Sequence, residues 1–338
     1  MPIEGETGFA RMKRTQKVVL VDKATAGSLF STGFCFLTPT LKVDPKFLFY
    51  LIASKPFQEE KDSLTGDGIM GGIRNTDVSQ INVLIPSIPE QMRIVDVMSA
   101  VDAYIAALQQ QVADARAARN AVLHELLTDG GEDWSEKNLG ATLDISRGGS
   151  PRPIQEFITD REDGVNWVKI GDASNSSKYI YKTKEKIKPA GVEKSRKVKS
   201  GDFILSNSMS FGRPYIMRCD GCIHDGWLLL SNVANHFDED FLYNLLMSDH
   251  VQKQFNSLAA GSGVRNLNIE AVKGVVVSLP PLSAQQEIAS LANTLDEFVW
   301  ALEATVQNAK RMRQSVLAAL LSGDHEIPET YDRLLGAA

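Results

Sequence analysis

Two stretches of the chain repeat apolar residues at alternating steps of four and three. The first runs through Ile94, Met98, Val101, Ile105, Leu108, Val112, Ala115, Val122 and Leu126, with one discontinuity near Arg119. The second runs through Ile288, Ala292, Leu295, Val299, Leu302, Val306, Ala309, Val316 and Leu320. A period of 3.5 residues keeps one apolar stripe facing a partner helix, so both stretches read as coiled-coil seams. Pro86 and Pro89 precede the first stretch and Pro280 and Pro281 the second, while Gly130, Gly131 and Gly323 follow them. Those residues predict where each helix starts and stops. Each helix would span roughly 35–38 residues, or about 55 Å at ~1.5 Å per residue. A single chain buries both seams if the helices pair antiparallel; a parallel homodimer is the competing arrangement.

Between the helices the pattern changes to short apolar runs punctuated by Gly, Asn and Ser. Trp167–Ile170, Asp202–Ser206, Tyr215–Met217, Trp227–Leu230 and Gly274–Ser278 read as strands, and about 239–256 as a helix. The region predicts a mixed α/β domain.

The chain also repeats itself. Phe47-Leu48-Phe49-Tyr50-Leu51-Ile52 matches Phe241-Leu242-Tyr243-Asn244-Leu245-Leu246 at an offset of 194 residues. After a local shift, Gly72-Ile73-Arg74-Asn75 meets Gly263-Val264-Arg265-Asn266. The offset then returns for Gln91 with Gln285, Ile94 with Ile288, and Asp102 with Asp296. This divides the chain into a partial first domain (1–88), a helix (89–130), a complete domain (131–282), a second helix (283–323) and a tail (324–338). The first copy starts only near the equivalent of residues 195–200, so the counterpart of 134–195 is expected to be missing from its front.

Composition adds little until charge is located. Hydrophobic residues make up 43% and charged residues 23%, and the net charge is −6. Residues 137–218, however, hold sixteen Lys and Arg against nine Asp and Glu. A basic face inside an acidic protein suits phosphate binding, although a solvated strand surface has the same composition. Arg152, Lys169, Lys182, Lys184, Lys186, Lys194, Arg196, Lys197 and Arg213 are the candidates. In Gly263-Val264-Arg265-Asn266 and in Arg74-Asn75, Arg offers a donor fork for phosphate or guanine and Asn can pair with adenine. The competing reading is an internal turn in which the arginine braces the next strand.

At this point the sequence resembles the specificity subunits of type I restriction-modification systems. The proline-glutamine lead-ins carry the resemblance: Ile85-Pro86-Ser87-Ile88-Pro89-Glu90-Gln91 and Leu279-Pro280-Pro281-Leu282-Ser283-Ala284-Gln285, where Ala284 replaces the family's glutamate. Gly149-Ser150-Pro151-Arg152, Trp167-Val168-Lys169-Ile170-Gly171-Asp172 and Gly201-Asp202-Phe203-Ile204-Leu205 add to it. The resemblance implies target-recognition domains, Ser150 among their DNA contacts, joined by two long antiparallel coiled-coil helices. It also implies double-stranded DNA, two methyltransferase subunits and restriction/translocase subunits as partners. Such a subunit is non-catalytic, binds no cofactor, and leaves S-adenosylmethionine, ATP and Mg to its partners.

The residues agree with that expectation. No phosphate-binding Gly-x-x-x-x-Gly-Lys-Ser/Thr loop, no Gly-x-Gly-x-x-Gly and no Gly-x-Ser-x-Gly turn occurs. Cys219 and Cys222 form a lone CxxC near His224, read as a turn between strands, and Cys35 reads as packing. Asp102 and Asp296, repeated on the helices, read as solvated or partner-facing. No signal peptide or long apolar run is seen, and a cytoplasmic protein is expected. A coiled-coil scaffold that binds only proteins is the alternative function.

Overall fold

The computed structural model describes residues 1–66, 71–128, 131, 133–173, 178–207, 211–260 and 266–335. The chain divides into two units, Met1–Ala113 with Trp300–Ala338, and Asp114–Val299.

In the first unit, β1 (Thr7–Ala10), β2 (Val18–Leu20) and β3 (Phe34–Leu37) form an antiparallel sheet in the order β2-β1-β3. Helices α1 (Pro45–Ala53), α2 (Lys55–Leu64) and α3 (Asn75–Val78) follow, and then α4 (Ile88–Thr128) begins. Asp44 caps α1 by accepting from the Lys46 and Phe47 N–H groups, and Ser54 in extended conformation ends α1 and caps α2. Phe9 and Cys35 pack with Ile52, Phe57 and Ile73 on one face of the sheet.

The second unit opens with the end of α4, then β4 (Ser135–Asn138), α5 (Leu139–Thr142), β5 (Asp144–Arg147), β6 (Ile158–Thr159), β7 (Val165–Val168) and α6 (Ile170–Ala173). Next come β8 (Tyr179–Ile180), β9 (Glu185–Ile187), β10 (Arg196–Val198), β11 (Phe203–Ser206), β12 (Pro214–Met217), β13 (Gly221–Ile223) and β14 (Trp227–Ser231). The unit ends with α7 (Glu239–Met247), α8 (Asp249–Ala260), α9 (Ile269–Lys273), β15 (Val276–Leu279) and the start of α10 (Leu282–Leu321); α11 (Tyr331–Leu335) lies in the first unit.

Period-two alternation builds this unit in layers. One sheet has the order β5-β14-β11-β12-β8, the other β10-β13-β7-β9-β6. Phe203, Leu205, Ile216, Leu228 and Leu230 face the helices, where they meet Phe241, Leu245 and Phe255. Their neighbours Ile204, Tyr215, Met217, Trp227 and Leu229 face the other way, onto Val168, Val198 and Ile223. The β2-β1-β3 sheet repeats the β12-β11-β14 register: Thr7 opposes Leu20 and Leu37 as Phe203 opposes Ile216 and Leu230.

The helices pair antiparallel in each unit. In the first, Ile105 and Leu108 pack with Val306 and Ala309, and Val101 and Val112 flank them. Ile94 and Met98 share a cluster with Leu317. In the second, Leu123 and Leu127 share a cluster with Ile288 and Ala292. Val299 is buried, and Leu295 and Leu302 are half-buried.

Three elements depart from the sequence reading. Past Arg119 the buried positions are Leu123 and Leu127, while Val122 is exposed; there α4 packs on a globular core, and a straight helix drifts from a strict 3.5 period. The helix expected over 239–256 is two helices, broken at Ser248, whose backbone is extended. The strand expected through Ile170 stops at Val168, after which Asp172 accepts from the Lys169 N–H and α6 begins.

Candidate nucleic-acid interface

Four chain segments converge at one end of the β5-β14-β11-β12-β8 sheet, and Asp225 ties them together. Its carboxylate accepts from the Ser150 hydroxyl at 2.8 Å and stands 3.7 Å from Arg152. Its backbone carbonyl accepts from Arg147 Nε at 3.1 Å and from Asn207 Nδ2 at 2.9 Å. The Leu267 N–H closes the set by donating to the Asn207 carbonyl at 2.9 Å. Glycine makes this approach possible: a Cβ at Gly148 would lie 2.0 Å from the His224 carbonyl oxygen. The Ser150 hydrogen bond holds the Asp225 carboxyl below the usual carboxylate range, so it is an ionised acceptor at neutral pH.

Exposed cations surround this end. Arg147, Arg152 and Arg213 are exposed, Arg196 donates to the Arg147 carbonyl at 3.3 Å, and the Arg213 guanidinium lies over the Tyr215 ring. The other basic candidates belong to the second sheet and its turns. Lys169 is paired with Glu185 and the Lys186 side chain is half-buried, whereas Lys182, Lys184 and Lys197 are exposed. Lys194 is exposed, with Nζ 5.0 Å from the Phe157 ring centre. Arg196 and Lys197 are neighbours on β10 and point to opposite faces, so one surface does not present both.

In the first unit Arg74 is exposed and pairs with Asp77 at 3.1 Å, while Asn75 Oδ1 accepts from Arg11 at 2.6 Å. Gly263 and Arg265 lie outside the described residues. The Asn266 Oδ1 is buried with no hydrogen-bond partner among the described residues, as is that of Asn207. Sequence reasoning missed Asp225, Arg147 and Asn207. The available signal was the His224-Asp225-Gly226 turn, whose glycine abuts the His224 ring.

On the long helices two acidic residues brace the fold. Asp102 and Asp296, expected to face solvent or a partner, instead receive Arg313 and Arg119 from the opposite helix. Cys222 lies within β13 and is buried, and the Cys219 thiol donates to the Ile180 carbonyl; burial raises both thiols. Among the described residues no cluster of His, Cys, Asp and Glu could hold a metal ion, and no helix is long and apolar enough to cross a membrane.

A family model for the type I restriction modification DNA specificity domain matches residues 10–114 and 131–309. The type I restriction enzyme MjaVIII specificity subunit of Methanocaldococcus jannaschii is 22% identical, over 90% of this chain and 78% of that one. The StySPI specificity subunit of Salmonella potsdam is 24% identical, over 86% and 68%. A chain from a structural study of type I restriction-modification complex assembly and conformational transition superposes with a TM-score of 0.71 at 21% identity, over 96% of this chain and 83% of that one. The HsdS subunit from Thermoanaerobacter tengcongensis gives 0.54 at 21% identity, over 96% and 82%. At these identities the structures speak for the fold. Because the family model matches both domain regions and most of the chain, this protein belongs to the type I restriction-modification DNA specificity family and is a specificity subunit, the DNA-recognition component of such a system.

Proposed function

We propose that the chain reads a bipartite DNA site through its two domain regions and holds methyltransferase and restriction subunits on its long helices. The observation that carries the reading is the convergence of Arg147, Arg152 and Arg213 with close-packed loops at one end of a rigid sheet. Cations placed on turns reach a groove, and a sheet beneath fixes their register. Exposed aromatics support docking on the helices: Tyr104 and Phe298, 194 residues apart, are 53% and 58% exposed outside the seam. S-adenosylmethionine, ATP and Mg would be held by the partner subunits, which carry out methylation and cleavage. This chain supplies position and choice of sequence, and does no chemistry of its own.

Under this reading Lys182, Lys184, Lys194 and Lys197 contact phosphates. Neutralising a phosphate releases counterions, so binding falls steeply with salt, by a slope of about 0.9 per contact. Replacing the four lysines with Ala should weaken binding to cognate and unrelated duplexes alike and flatten the salt slope by up to about 3.6, or about 0.9 for each of the four contacts. Binding of the parent chain that does not change between low and high salt would remove DNA from the reading and leave the protein-scaffold alternative.

A further inference from the structure

We propose that Arg152 and Asp225 act as a pair that reads one G·C base pair in the major groove, with Asp225 also positioning the arginine. The proposal rests on the DNA-reading role above and goes beyond it by separating these two residues from the phosphate-binding lysines.

The exposed ion pairs Arg161–Asp163 and Lys273–Glu270 already spend their donors on the carboxylate, which sets the Arg152–Asp225 pair apart. The Lys178–Asp240 and Arg218–Glu239 pairs are largely enclosed and brace α7 against the sheet. The Arg152 side chain is 83% exposed and that of Asp225 46%, yet the carboxylate is not free to turn. Ser150 holds one of its oxygens, and Arg147 and Asn207 anchor its backbone carbonyl. Its second oxygen stands 3.7 Å from Arg152, and the Arg152 guanidinium forms no hydrogen bond among the described residues. An unspent donor fork therefore sits beside a fixed acceptor.

That combination is poorly suited to phosphate. A carboxylate this close would repel the phosphate that Arg152 approached, whereas exposed Lys182 and Lys197 carry no such neighbour among the described residues. A neutral base edge carries no such penalty. Guanine offers N7 and O6 as acceptors for an arginine fork, and cytosine offers its N4 amino group as a donor to a carboxylate. Arg152 and Asp225 together complement a G·C pair, with guanine on the arginine side.

The test is selection of bound sites from a randomised duplex pool by the full chain, followed by affinities for every single-pair substitution of the selected site. The variants are Arg152→Lys, Asp225→Ala and Asp225→Glu, with melting temperatures as the check on folding. Arg152→Lys keeps the charge and loses the fork. It should reduce discrimination at one G·C pair by about 10- to 100-fold, a loss larger than any change in affinity for unrelated duplexes. Asp225→Ala should relax the same pair, and Asp225→Glu should restore part of it. Relaxation at two different pairs, or a uniform loss on every duplex, overturns the pair reader. If the parent chain selects no sequence at all, the DNA-reading role itself fails, and that result is seen before any variant is made.

Discussion

Arg119 donates from Nε and Nη2 to the two carboxylate oxygens of Asp296, at 2.9 and 3.1 Å. The same guanidinium reaches Asn244 at 2.9 Å. In the other unit Arg313 meets Asp102 in the same way, and the Tyr50 hydroxyl donates to that carboxylate at 3.0 Å. Residues 119 and 313, 296 and 102, and 244 and 50 stand 194 apart. Each unit thus carries one clasp with arginine on one long helix, aspartate on the other, and a third residue from a domain helix.

The clasp should be energetically coupled. Both side chains are about a quarter exposed, so solvent screens the pair in part. Paired charge-assisted hydrogen bonds in such a setting are worth about 1–3 kcal/mol. Arg119→Ala and Asp296→Ala should each lower stability by about that amount, and the double variant by little more than one of them. Urea midpoints for the four proteins measure the coupling, and strictly additive losses would contradict it.

A second repeated device sits where the domains meet their helices. Gln91, fully buried, accepts from the Asp44 N–H at 2.8 Å and donates to the Lys42 and Pro86 carbonyls, both at 2.9 Å. Gln285 does the same for the Asp238 N–H and the His236 and Pro280 carbonyls. Gln91→Ala strands three partly buried backbone groups and should cost about 2–3 kcal/mol. Gln91→Glu keeps the shape but turns a carboxylate onto two carbonyl oxygens, and should cost at least as much. A Glu variant that melts like the parent would show that shape, not hydrogen bonding, holds this junction.

The glutamines show how much was legible in advance. Gln91 and Gln285 were visible as matched positions of a repeat, and the seam was readable as far as one periodicity persisted, which in the first helix is up to Arg119. The turn at Asp225 was not, because its role depends on Ser150, 75 residues away in sequence, and on loops that converge only in the folded sheet. The lysines were readable as a charge cluster, yet composition does not assign faces. Adjacent Arg196 and Lys197 fall on opposite sides of β10, and Lys169 is paired with Glu185. The break at Ser248 was hidden because its neighbours keep helical periodicity on both sides.

Val306 and Val122 separate the observed packing from a strict heptad. Val306 is 5% exposed and packs with Ile105 and Leu108, whereas Val122 is 36% exposed. Val306→Lys places an unpaired charge among apolar side chains and should cost about 3 kcal/mol or more. Val122→Lys should change stability by no more than about 0.5 kcal/mol. An uninterrupted heptad predicts similar losses for both. Comparable shifts in the urea midpoint would therefore count against the register seen beyond Arg119.

His224 gives the protein a pH dependence of known sign. Its ring lies between two backbone donors, the Gly226 N–H at 2.7 Å from Nδ1 and the Ile170 N–H at 3.2 Å from Nε2. A neutral imidazole accepts from one of them; a protonated ring accepts from neither and turns its own N–H groups toward both. Burial lowers the pKa below its ordinary value of 6.5, and the neighbouring Asp225 carboxylate pulls only partly the other way. Between the lowered folded value and the unfolded one, the unfolded chain binds more protons. Stability from His224 is therefore complete above about pH 6.5 and is lost as the pH falls through the folded value. Asp225, also lowered, acts in the separate range below its ordinary value of 3.8. His224→Asn keeps an acceptor near the Gly226 N–H but does not titrate. Urea unfolding at pH 7.5 and 5.5 should show the parent losing more stability across that interval than the variant. An equal loss in both would mean that the ring is protonated in the folded state without cost, and that its two N–H neighbours are not its partners.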